Sequence, residues 1–223
     1  MNFDAHNNIL RGAFEALPDA MKADLASTRP LLEIAGNYPD LFEDPHGPDS
    51  EKNKIDPDWK RFTRFPASLG GPSFHRLPWP VAEQGKWQAL SRHWLGGAVD
   101  ALQNDDNPGF MKFIGCLSHW FGDLTQSAHL MDLQLLKELI PPPESLKDFH
   151  YHTDLEAFTG ECGKLSTPKI LGESLDEVIW KIAAINADAI RESRRHIVPL
   201  LQAIFDEKNE EAKKLACPPV IKA

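Results

Sequence analysis

The chain has 223 residues, of which 42% are hydrophobic and 26% charged, a balance that folds around a core rather than staying disordered. Lys and Arg number 24 against 33 Asp and Glu, and the net charge of −9 disfavours a broad basic surface that would hold nucleic acid by counterion release. The three cysteines, Cys116, Cys162 and Cys217, form no C-x-x-C, so neither a disulfide framework nor a cysteine zinc site is expected.

The opening stretch MNFDAHNNILRGAFEAL has no basic-then-apolar leader pattern, and no apolar run approaches the eighteen or so residues that span a bilayer. The expected location is the cytosol, or outside the cell if a leader has been removed. Helical periodicity dominates. Ile9, Leu10, Ala13, Phe14 and Leu17 share one face, and Pro18 ends or bends that helix. A second helix is predicted over roughly 19–35, with Gly36 as its stop. Residues 37–82 are rich in proline and show no sustained period, so they read as one long irregular segment.

Trp87, Leu90, Trp94, Leu95, Ala98 and Leu102 then make an amphipathic helix that runs out at Asn104-Asp105-Asp106-Asn107-Pro108. The next helix carries Met111, Ile114, Leu117, Trp120, Phe121 and Leu124, and its apolar spacing continues to Leu139, before Pro141, Pro142 and Pro143. A long last helix runs from Leu175 to Ile204 with a kink expected at Pro199, and the tail from Glu207 reads as solvated. No alternating strands and no internal repeat are visible, so the fold class expected is all-α, one domain over residues 1–223.

Chemistry concentrates in Gly115-Cys-Leu-Ser-His119-Trp-Phe-Gly-Asp123-Leu-Thr-Gln-Ser-Ala-His129. His119 and Asp123, four apart on a helix, lie on one face and can approach one metal ion. His129, ten residues on, stands about 15 Å from His119 along a continuous helix. The two histidines therefore serve different ions unless the helix breaks between them. A second such pair is His150 and Asp154 in Phe149-His-Tyr-His-Thr-Asp154. With His129 it makes two imidazoles and one carboxylate, a known catalytic zinc set, although other divalent metals accept the same donors. Most isolated His-x-x-x-Asp pairs merely hydrogen-bond. Two of them on inward-facing helical stripes, each with a further histidine, make a metal the natural offset for buried charge.

The segments HWFGDLTQSAH and FHYHTDLEAF resemble the superfamily that joins bacterial zinc-dependent phospholipases C with fungal and plant single-strand nucleases. The resemblance extends upstream to Asp40 in Asn37-Tyr38-Pro39-Asp40, His75 in Ser73-Phe74-His75 and His6 in Asp4-Ala5-His6-Asn7, and so runs from residue 1 to about 160. Ser127 stands where that family usually has proline. The resemblance implies a helical bundle of the zinc-dependent phospholipase C type holding up to three zinc ions. One ion would take Asp40, His75, His119 and Asp123; a second His129, His150 and Asp154; a third His6, Asp123 and the amino terminus, here Met1, with Asp123 bridging the first and third.

The implied activity is phosphoester hydrolysis by a metal-activated hydroxide, with Asp123 bridging ions and Asp40 orienting the nucleophile. The acidic charge favours a small phosphodiester or phospholipid, as for a phospholipase C, over nucleic acid. The alternatives are a single-strand nuclease or nucleotidase of the same superfamily, a metal-binding member turned to biosynthetic chemistry, and a plain helical interaction domain. Phe65, Phe74 and Trp79 are candidates to wall a pocket for a base or a quaternary ammonium group, against a role as loop anchors. His46 and His196 are expected to face solvent. His93 lies in a helix between Arg92 and Trp94. His152, offset by two from His150, is expected to point elsewhere, at best supporting a ligand from behind.

Overall fold

A computed structural model of the chain describes residues 3–42, 49–63, 84–157 and 170–216; within these, only the backbone is described for 3–6, 49–51, 84–87, 125, 127 and 156–157. Among the described residues every regular element is helical, as the sequence predicts. Helix α1 (Phe3–Glu15) buries Leu10 and Phe14. Pro18 closes that segment and stands just ahead of α2 (Asp19–Leu25).

The single helix expected over 19–35 is in fact two. A 3-10 turn, Ala26–Thr28, separates α2 from α3 (Arg29–Ala35), and Pro30 sits in the first turn of α3. Proline lacks the N–H that a continuing helix needs, so its tolerated place is a helix start.

The reading of 37–82 as one irregular segment is corrected where it is described. Three short helices, α4 (Tyr38–Phe42), α5 (Asp49–Ile55) and α6 (Trp59–Thr63), lie there. Each is too short for a hydrophobic period to show; α4 and α6 are held by aromatic packing, and α5 is tied to α6 by Trp59 Nε1, which donates to Asn53 Oδ1 at 3.0 Å. Tyr38 meets Phe42 edge-on at 4.9 Å, and Phe42 stacks on Trp59 at 5.0 Å between ring centroids.

Helix α7 (Gln84–Gln103) and helix α8 (Asn107–Thr125) follow, joined across the predicted break. Asp105 adopts a left-handed φ of 56°, and the Asp106 N–H returns to the Ala101 carbonyl at 2.8 Å. That is a helix stop built without glycine. The Asp106 carboxylate then accepts the Gly109 N–H at 2.9 Å, capping α8.

The helix predicted to continue to Leu139 ends at Thr125. A 3-10 turn, Ser127–His129, intervenes before α9 (Leu133–Leu139) and α10 (Tyr151–Ala157). Helix α11 (Leu175–Phe205) runs through Pro199 without ending there. The segment after Glu207 is not simply solvated: α12 (Asn209–Ala216) packs on α11 and buries Ala212.

Helix α8 organises the bundle. It touches α1, α3, α4, α6, α7 and α11. One core cluster joins α3, α4, α6, α7 and α8, with Trp94, Phe113 and Trp120 at its centre; another joins the 3-10 turn, α9, α10, α11 and α12 around Leu155, Ile197 and Leu201. Ile190 packs against both. Leu124, in the last turn of α8, belongs to the first cluster and Ala128, in the turn that follows, to the second, so Asp123 stands beside the point where the chain passes from one to the other.

Candidate metal centre

The site begins with two glycines. A Cβ on Gly115 would stand 2.7 Å from the Leu32 carbonyl oxygen and 2.9 Å from the Gly36 nitrogen, so α8 passes α3 with backbone against backbone. Gly36 is itself crowded: a Cβ there would lie 2.3 Å from Leu10 Cδ1. One turn beyond Gly115, this approach lets His119 Nδ1 reach the Gly36 carbonyl at 2.6 Å. A carbonyl only accepts, so Nδ1 carries the hydrogen. Nε2 is thereby turned toward the carboxylates as the remaining ring nitrogen.

Those carboxylates come from two helices. Asp40 on α4 brings Oδ1 to 3.5 Å from His119 Nε2, and Asp123 brings Oδ2 to 3.3 Å. Asp123 Oδ1 lies 3.7 Å from His129 Nε2. The four side chains form an alternating row, Asp40–His119–Asp123–His129, and each is less than a tenth exposed. Burial works against an imidazolium at His119, but hydrogen bonds and charge from Asp123 and Asp40 outweigh it and push its pKa up to about 10. Asp123 also lies in the last turn of α8, where the helix dipole is negative. The row is a place where positive charge is favoured.

The helix break places His129 there. Gln126 is extended (φ −82°, ψ 128°), and the following 3-10 turn swings His129 back toward Asp123. The expectation that ten residues of helix keep His119 and His129 far apart is therefore corrected. Both flank the same aspartate. The turn is held from α11 by Arg194, whose Nε donates to the Leu130 carbonyl at 3.2 Å, and by burial of Ala128 and Leu130.

His150 and Asp154 sit differently from the expectation. Asp154 Oδ2 accepts the backbone N–H of His150 at 2.8 Å, as an acid does in the first turn of a helix, and the His150 side chain is exposed. It is His152 whose ring meets His129, edge to face at 4.9 Å. Helical geometry explains the exchange. Tyr151 and Leu155 face the core, so positions 150 and 152 fall on opposite flanks of that stripe, about 200° apart. The flank turned to the 3-10 turn is that of His152. This contact was missed in the sequence because His150 has the metal-ligand spacing and His152 does not; the buried Tyr151–Leu155 stripe was the available signal. For Gly36 and Gly115 the signal is that each precedes a candidate ligand, Asp40 or His119, by four residues.

Among the described residues no group of three or more His, Cys, Asp or Glu side chains closes as a metal cage would. In particular, His129, His150 and Asp154 do not form the expected three-donor set. Met1, His75, Phe65, Phe74 and Trp79 lie outside the described residues, as does the side chain of His6, whose backbone belongs to α1. His46 is outside them too. His196 pairs with Glu192 at 3.2 Å and is partly buried, not simply solvent-facing. No helix among the described residues is long and apolar enough to cross a membrane. No protein-family model, curated protein or solved structure matches the chain.

Proposed function

We propose that the chain is a metal-dependent phosphoester hydrolase whose centre assembles around Asp123. The observation that carries this reading is the buried row Asp40–His119–Asp123–His129, with His119 Nδ1 bonded to Gly36. The donor chemistry fits a divalent cation. Donors 2.0–2.2 Å from a tetrahedral ion stand about 3.3–3.6 Å from one another, and the His119–Asp123 and His119–Asp40 contacts are 3.3 and 3.5 Å. A metal-ligating histidine commonly donates its other N–H to a carbonyl, as His119 does. One divalent charge balances two carboxylates beside a neutral imidazole, whereas a proton on His119 leaves one negative charge uncompensated.

In this reading Asp40, His119 and Asp123 would draw together around one ion, with His75 as a further donor, and Asp123 would share its second oxygen with the His129 side. His6 and the Met1 amine are proposed donors to a third ion. When bound, the metal supplies a nucleophile at neutral pH and neutralises charge on the phosphoryl group. The chain's own residues supply the arrangement. Gly36 fixes the His119 tautomer, Asp123 ties the two imidazoles into one unit, and Asp40 has the proposed role of orienting the attacking water. The net charge of −9 supports a small phosphodiester or phospholipid substrate over nucleic acid.

The test is a turnover panel on zinc-loaded full chain, comparing a phosphocholine ester, a phosphomonoester and single-stranded DNA. Turnover of the phosphocholine ester alone supports the phospholipase-like reading. Cleavage of DNA or of the monoester moves the chain to the nuclease or nucleotidase alternative. Bound zinc with no turnover of any of the three points to a member repurposed for other chemistry. A chain that takes up no zinc is left with the interaction-domain alternative.

A further inference from the structure

Helices α4 and α8 carry Asp40 and His119, and they meet at a second point. Lys112 on α8, seven residues or about 10 Å before His119, donates to Asp56 Oδ2 at 2.7 Å. Tyr38 on α4, two residues before Asp40, donates its hydroxyl to the same oxygen at 2.6 Å. The other carboxylate oxygen accepts the Asp58 N–H at 2.9 Å. Asp56 is 5% exposed and Tyr38 2%. The Lys112 ammonium also lies 5.2 Å from the Phe62 ring centroid, so its position is fixed on that side as well.

A buried pair of this kind adds little net stability over apolar packing, because desolvation offsets the attraction. Geometry gives it a purpose. Helix α4 has only five residues, little more than one turn, and cannot hold its own rotation. Fixing Tyr38 to α8 through Asp56 sets the rotation of that turn, and Asp40 turns with it.

We propose that Asp56, bridging Tyr38 and Lys112, is a positioning residue that sets Asp40 against His119 and so governs how tightly the Asp123 centre holds its cation. The inference rests on the metal-dependent reading above, and it adds three residues that touch neither substrate nor metal.

The experiment is a double-mutant cycle on the full chain, read as zinc affinity by competition with a chelator. Tyr38→Phe, which removes one hydroxyl, is expected to weaken the tightest ion about tenfold. In the Asp40→Asn background the same change is expected to add nothing, because it acts only through Asp40. Asp56→Asn is expected to behave as Tyr38→Phe does. Leu25→Ala, a buried change on α2, which carries no candidate donor, is expected to lower the melting temperature and leave zinc affinity unchanged. The proposal is overturned if Tyr38→Phe lowers melting but not affinity, or if its effect persists fully without Asp40. Wild-type chain that takes up no zinc overturns the metal reading itself and the positioning role of Asp56 with it, an outcome distinct from the other two.

Discussion

Replacing Gly115 by alanine tests whether the close passage of α3 and α8 builds the site. On an exposed helix surface the change would stabilise by about 1 kcal/mol, since alanine is the better helix former. Here the added methyl meets backbone atoms at 2.7, 2.9 and 3.0 Å, the nearest about 0.7 Å inside ordinary contact. None of these is the end of a flexible side chain, so the helices must separate. Overpacking of this degree costs about 1–3 kcal/mol, and loss of the His119–Gly36 hydrogen bond adds about 1 kcal/mol. After the propensity gain, the expected net loss is about 1–3 kcal/mol, or roughly 2–12 °C in melting temperature for a chain of this size. Gly96→Ala on α7 is the internal comparison. Its Cβ would find only Leu175 Cδ2, at 3.7 Å, so it is expected to be neutral or slightly stabilising. Urea unfolding of the two variants beside wild type is the assay. If Gly115→Ala is as stable as Gly96→Ala, the backbone contact is not holding the helices and the account of how His119 is placed is wrong.

Asp123→Asn is expected to lose more activity and bound metal than any other single ligand change, since its two oxygens serve His119 and His129; near-normal turnover with full metal content would remove it from the centre. His129→Ala is expected to lower metal content less than Asp123→Asn does, because the ion between Asp40 and His119 stays; loss of metal as complete as in Asp123→Asn contradicts that division. Burial raises the Asp56 carboxyl, but the bonds from Lys112, Tyr38 and the Asp58 N–H outweigh it and hold its pKa below the ordinary 3.8. Its contribution is therefore full above that value and is lost as pH falls through the lowered one. Asp56→Asn should be less stable than wild type at pH 7, with the gap closing on acidification below about pH 3.8, and urea midpoints at the two pH values that keep the same gap would show that Asp56 is not ionised and paired. Leu201→Ala, at a fully buried site, is expected to cost about 2–5 kcal/mol in the same unfolding assay, and a smaller loss would mean that the second cluster is loosely packed.

The long helices were legible because amphipathic period and breakers coincide: the Asn104–Pro108 break, the Trp94–Ala98 stripe and the final helix all stand where the pattern puts them. The break at Gln126 was not, since neither glycine nor proline marks it and the apolar spacing runs on through Ala128 and Leu130, which are buried for a different reason. That one turn decides whether His129 is remote from His119 or shares its aspartate. The helices between 38 and 63 escaped because five to seven residues cannot display a period, and what holds them is packing between Tyr38, Phe42 and Trp59 on α4 and α6 and the Trp59–Asn53 hydrogen bond to α5. Of the candidate donors, the sequence singled out Asp40, His119, Asp123 and His129, and the fold brings these four together. The exchange of His152 for His150 beside His129 depends on which flank of α10 meets the turn, a tertiary fact that ligand spacing does not carry.

The row around Asp123 is proposed to hold divalent metal. Zinc content settles it most directly, measured by elemental analysis of full-length chain after zinc loading and gel filtration, beside Asp123→Asn. At least one tightly held ion per wild-type chain and a clear loss in the variant are expected. Less than one ion per wild-type chain, or equal zinc in both proteins, would contradict it.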